Sequence, residues 1–163
     1  MKEPKVYAHS AYVGTTGYNN HTRDFFRKLL NHLPLKVRNF TVGKSWQGNS
    51  DEPHNGESYL NDIDKKLLVS QTLSVGDNKR GDFPIYTKYQ NNFDHNVNLV
   101  LCETNHHYFY DSYVGPKIAY NVWESTLQPE GFFNKLLEFD QIWVPSQWQA
   151  DCTIAQGANP DKV

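Results

Sequence analysis

The feature that most narrows the possible folds is an alternation of strand-length apolar runs with helix-length amphipathic stretches at both ends of the chain. Residues 4–13, PKVYAHSAYV, are β-branched and aromatic behind a proline, which predicts a strand. A glycine-bounded turn, Gly14-Thr15-Thr16-Gly17, follows it. Asn19, Asn20 or Thr22 then offers a cap for a helix running to about His32, along which Phe25, Phe26, Leu29, Leu30 and Leu33 recur at one-turn spacing. Pro34 ends that helix, and residues 35–42, LKVRNFTV, alternate like a second strand. Strand, turn, helix and strand in this order imply a parallel pair joined by a crossover.

The carboxyl-terminal half repeats the pattern. Residues 96–103, NVNLVLCE, read as a parallel strand buried on both faces, and 117–123, KIAYNVW, as another. Pro129 and Glu130 suit the first turn of a helix to about Phe139. Residues 140–145, DQIWVP, form a further strand; Ser146 caps a helix over 147–156, and Gly157 stops it. Asn159-Pro160-Asp161 is a turn, after which Lys162-Val163 looks like the first step into another strand. Between the halves, 43–56 is a polar loop and 57–69 a helix with Leu60, Ile63, Leu67 and Leu68 on one face. Residues 70–96 carry no clear pattern beyond a short strand near Phe83–Tyr89 and read as an irregular insertion or short strands, so 43–96 is expected as an irregular insertion. The fold class expected is α/β, a Rossmann-like parallel sheet with helices on both faces, forming a single domain over 1–163.

Composition supports a globular domain and excludes several others. At 163 residues the chain is one domain's worth and needs no staples to bury a core. Two cysteines make no disulfide framework. The start, MKEPKVYAHS, lacks the apolar core of a signal peptide, and a cytoplasmic location is expected. A net charge of −2 gives no basic surface for nucleic acid. Aromatic residues make up 14%, enough to supply both a core and flat faces for sugars or bases.

In an open parallel sheet, ligands bind outside the carboxyl ends of the strands. Three loops qualify. The first carries Gly14, Thr15, Thr16, Gly17 and Tyr18; its glycines allow close approach to a ligand, or simply form a tight strand–helix turn. Neither a dinucleotide fingerprint nor a P-loop is present. Arg23, one turn into the helix, either presents its guanidinium to a phosphate or carboxylate or is solvated. The second loop holds Glu103, His106, His107 and Tyr108, better placed to hydrogen-bond substrate than to hold a metal. The third places Trp123, Glu124, Ser125 and Thr126 after a buried strand, where a carboxylate is paired or functional. Glu124 is the catalytic candidate; no metal is expected.

Residues 117–163 resemble the N-terminal domain of GT-B glycosyltransferases of the retaining, group-1 type. The resemblance is carried by Trp123-Glu124-Ser125, Pro129, Asp140-Gln141-Ile142-Trp143-Val144-Pro145-Ser146, and Gly157-Ala158 through Lys162-Val163. The Gly14/Gly17 loop and the Arg23-bearing helix resemble the family's first strand–helix unit, whereas 43–96 match no named pattern. Many relatives have a histidine where this chain has Trp123. The resemblance implies two facing Rossmann-like domains. The N-terminal one holds a carbohydrate, glycan or lipid acceptor, and the C-terminal one holds a nucleotide-sugar. The Gly14–Gly17 loop would border the donor phosphates, Glu124 would bond sugar hydroxyls, and Trp123, Tyr18 and Tyr108 would stack on a sugar face. It also implies a peripheral membrane association of the full-length form. On this reading the chain is a truncated fragment or an N-terminal half, it lacks the donor domain and binds no cofactor alone, and by itself it transfers no sugar. The rival reading is a stand-alone Rossmann-like binding or scaffold protein without catalysis; another nucleotide-using α/β enzyme ranks last for want of a phosphate fingerprint.

Overall fold

The computed structural model describes residues 6–12, 16–42, 60–68, 73–75, 97–103 and 115–163. Six strands form one sheet: β1 (Val6–Ser10), β2 (Leu35–Val42), β3 (Leu73–Val75), β4 (Val97–Glu103), β5 (Lys117–Val122) and β6 (Gln141–Trp143). Their spatial order is β3-β2-β1-β4-β5-β6, and every pairing is parallel. The chain winds outward from β1 in one direction and from β4 in the other, so strand order reverses between β1 and β4. The helices are α1 (Gly17–Leu29), α2 (Asp62–Leu67), α3 (Glu130–Leu137) and α4 (Gln147–Ala155), followed by a 3₁₀ turn at Pro160–Lys162.

Side-chain alternation along β4 sorts the helices onto two faces. Leu99 and Leu101 pack in a cluster with Val6, Ala8, Phe26 and Leu67, which places α1 and α2 on one face. Val100 and Cys102 pack with Phe133, Leu136, Phe139 and Ile142, which places α3 on the other. A strand covered on both faces has no polar side to show, hence the unbroken apolar run. Each fully buried Leu, Ile or Phe here contributes about 1.5–3 kcal/mol over exposure.

Several expectations are corrected. The helix expected over 57–69 is present as the shorter α2, while 43–96 as a whole is not simply an irregular insertion, because it also supplies β3, which pairs with Phe40–Val42. The strand expected near Phe83–Tyr89 lies outside the described residues. On α2, Ile63 is exposed and Asp64 is buried inward beside Leu67, contrary to the expected apolar face. The cap of α1 is Thr16, not Asn19, Asn20 or Thr22. Its hydroxyl accepts from the Asn19 amide while the Asn19 side chain bonds back to the Thr16 amide, so the helix starts earlier. Lys162-Val163 does not begin a strand: the Lys162 ammonium donates to the carbonyls of Leu137 (3.3 Å) and Phe139 (2.9 Å) at the end of α3, where a cation opposes the helix dipole.

Gly157 ends α4 at φ +120°. Its amide bonds the Ile154 carbonyl and the Ala158 amide reaches back to Thr153, the paired bonds of a Schellman stop. Gly157→Ala is therefore expected to destabilise by about 1–3 kcal/mol through backbone strain, since an added Cβ meets no atom within 4 Å. Thermal melts read this directly; an unchanged midpoint would show that the stop relaxes at no cost.

Candidate functional site

The switch in strand order makes a notch in the carboxyl edge of the sheet. The ladder of β1 ends at Ser10, level with Asn39 and Leu101, while β2 continues to Val42 and β4 to Glu103. Ala11 and Tyr12 lie beyond the ladder yet are buried, so their backbone groups need partners. Side chains supply them. The Tyr12 amide donates to Asn39 Oδ1 at 2.8 Å, Arg23 Nη1 donates to the Tyr12 carbonyl at 2.8 Å, and Asn19 Nδ2 donates to the Ala11 carbonyl at 2.7 Å. The Tyr12 hydroxyl donates to Asp64 Oδ1 at 2.6 Å. Burial, then this bond and the Asp64 charge, hold the phenol well above its ordinary pKa.

The first turn of α1 faces this notch. Thr16 and Asn19 are occupied in the cap, and Ser10 and Thr22 share a hydroxyl–hydroxyl bond of 3.1 Å. Gly17 is exposed, with an ordinary φ, and a Cβ added to it would meet no atom of the described residues within 4 Å. Among the described residues neither packing nor strain demands glycine there. Tyr18 is half-buried and packs against both core clusters. Arg23 is not solvated. It is 4% exposed, and besides the Tyr12 carbonyl it bonds the Asn20 side chain. Burial, followed by the nearby Arg27 charge, lowers its pKa.

Adjacent β5 carries the third loop. His21 on α1 bonds the Tyr120 hydroxyl at 3.1 Å and meets its ring edge-on, which ties α1 across to β5. Burial raises the Tyr120 pKa. Beyond the strand, Trp123 is half-buried and its indole N–H donates to the Leu127 carbonyl at 2.9 Å. Gln128 and Gln156 close the loop: the Gln128 amide donates to Gln156 Oε1 at 2.8 Å, and Gln156 Nε2 donates to the Gln128 carbonyl at 2.7 Å. Gln149 adds a bond to the Asn121 carbonyl. Glu124, Ser125 and Thr126 stand exposed at the tip of this braced loop.

Of the residues singled out from sequence, Thr16 and Gly17 lie at the start of α1 by the notch, Glu103 ends β4 at the carboxyl edge, and Trp123, Glu124, Ser125 and Thr126 follow β5 on that edge, one strand beyond β4. Gly14, Thr15, His106, His107 and Tyr108 lie outside the described residues. The sequence reading missed Tyr12, Asn39 and Asp64, as well as the Gln128–Gln156 pair, because their partners lie on other elements. Among the described residues no group of three or more His, Cys, Asp or Glu side chains is placed to hold a metal ion. No helix among them is long and apolar enough to cross a membrane. No protein-family model matches this chain, and neither a curated protein nor a solved structure matches it, so its chemistry is to be read from the notch and the braced loop themselves.

Proposed function

We propose that this chain is the acceptor-binding domain of a GT-B glycosyltransferase, which moves a sugar from a nucleotide-sugar to a hydroxyl acceptor. The observation that carries the reading is the braced loop after β5, with Glu124, Ser125 and Thr126 exposed at its tip on the carboxyl edge of the sheet. A carboxylate with two hydroxyls on a rigid loop offers the acceptors and donors that a sugar's hydroxyl array needs, and Trp123 flanks them with an apolar face. Glu124 would accept a hydrogen bond from the acceptor hydroxyl and orient its oxygen for attack. The nucleotide-sugar would be held by a facing second domain, with the open position at Gly17 leaving room for its phosphates near the start of α1.

Amide chemical shifts followed during titration with methyl hexosides, and separately with UDP-hexoses, test this reading. A methyl hexoside is expected to move the resonances of residues 123–126. Glu124→Ala is expected to weaken that binding about tenfold, the worth of a charge-assisted hydrogen bond. Gly17→Ala is expected to leave the melting temperature unchanged or raised, because alanine is the better helix residue, and UDP-hexoses are expected to move no resonance of this domain alone. If no methyl hexoside perturbs residues 123–126, the acceptor assignment fails.

A further inference from the structure

We infer that Arg23 and Asn39 are positioning residues that hold the first turn of α1 in a set place against the exit of β1 and thereby shape the notch. The inference rests on the reading above, in which the start of α1 borders the phosphates of the nucleotide-sugar.

Strands that diverge at a sheet edge ordinarily give their last backbone groups to water. Here Ala11 and Tyr12 are 4% and 0% exposed, so that route is closed. Asn39 is the register partner of Ser10, and its Oδ1 reaches forward to the Tyr12 amide. A side chain thus prolongs the ladder where the two backbones part. Arg23 does the complementary task on the other side. One arm of its guanidinium takes the Tyr12 carbonyl and the other takes the Asn20 side chain in the first turn of α1. Asn19, the partner of the Thr16 cap, also bonds the Ala11 carbonyl. The start of the helix and the end of the strand are therefore joined through planar, directional groups rather than through apolar packing. A buried guanidinium is a costly way to fill space, and a lysine has no fork to span both partners. The arrangement makes sense as a device for geometry, since a site must be held within roughly half an ångström to be useful.

The test uses Arg23→Lys and Asn39→Ala. Ile142→Val, on the opposite face, supplies a general loss of stability. Positioning predicts that Arg23→Lys and Asn39→Ala shift the amides of Gly17 and Tyr18 at the start of α1. Ile142→Val lowers the melting temperature and leaves those two amides in place. Methyl hexosides are expected to move residues 123–126 in all three variants as in wild type, because that loop is braced by Gln128 and Gln156 instead. The inference is overturned if the amide shifts of Arg23→Lys and Asn39→Ala stop at Tyr12. Should wild type bind no methyl hexoside, the acceptor reading falls, and the Gly17 and Tyr18 amides alone then decide for or against positioning.

Discussion

Asp64→Ala is expected to cost about 3–5 kcal/mol of stability, the loss typical of breaking a buried ion pair from one side. Asp64 is fully buried and its carboxylate serves three partners. Arg27 grips it with two nitrogens, Nε at 2.8 Å and Nη2 at 2.6 Å; the Tyr12 hydroxyl donates at 2.6 Å, and the Asn61 amide donates at 2.8 Å. These contacts bind α2 to α1 and to the exit of β1. Truncation strands a buried phenol and leaves the guanidinium only the exposed Asp24 carboxylate, 3.3 Å from Nη1. Equilibrium urea unfolding reads the loss, and a change below about 1 kcal/mol would mean that the cluster rehydrates. The pH dependence has a definite sign. Burial pushes the Asp64 carboxyl up, but the bonds from Arg27, Tyr12 and Asn61 and the Arg27 charge outweigh it, so its pKa lies below the ordinary value. Its contribution is therefore present above the unfolded value of about 3.9 and is lost as pH falls through the lower folded value. The gap between wild type and Asp64→Ala should close in acid. Tyr12 sets the other boundary: its raised pKa stabilises the fold below about pH 10, and that contribution is lost as pH rises further.

Phe26→Ala is expected to cost about 3–5 kcal/mol, which for a chain of this size lowers the melting temperature by about 10 °C. Phe26 is 0% exposed and sits where α1 meets the sheet. Its ring lies over Tyr12, with centroids 6.4 Å apart at 29°, and meets Phe25 edge-on at 5.3 Å. Removing it opens a cavity under the same tyrosine whose polar atoms are all engaged, so little collapse is available. Phe26→Leu, which keeps most of the volume, should lose much less. Equal losses for both variants would show that ring geometry rather than volume matters there.

The elements were legible because their signals are local. The heptad-like spacing of Phe25, Phe26, Leu29 and Leu30 marks α1, and the unbroken run in NVNLVLCE marks a strand covered on both faces. Ser146 and Gly157 bound α4 as expected, since a cap and a positive-φ stop depend only on residues within a turn or so. β3 was not legible: a three-residue strand has no period of its own and exists only because β2 offers an edge to it.

The candidate site divides in the same way. Trp123 through Thr126 were found because they follow a recognisable strand. Arg23 was misread because nothing near it in sequence reveals the carbonyl it serves, eleven residues earlier. Asp64 and Asn39 were missed for the same reason: their partners come from other elements, with Tyr12 and Asp64 separated by 52 positions. Taken alone, the sequence determined the parallel α/β class and most of its helices and strands, because periodicity, caps and stops act over a few residues. Only the tertiary structure decided the strand order, the notch between β1 and β4, and which polar side chains are consumed in holding it, because burial and hydrogen-bond partnership arise between segments distant in the chain.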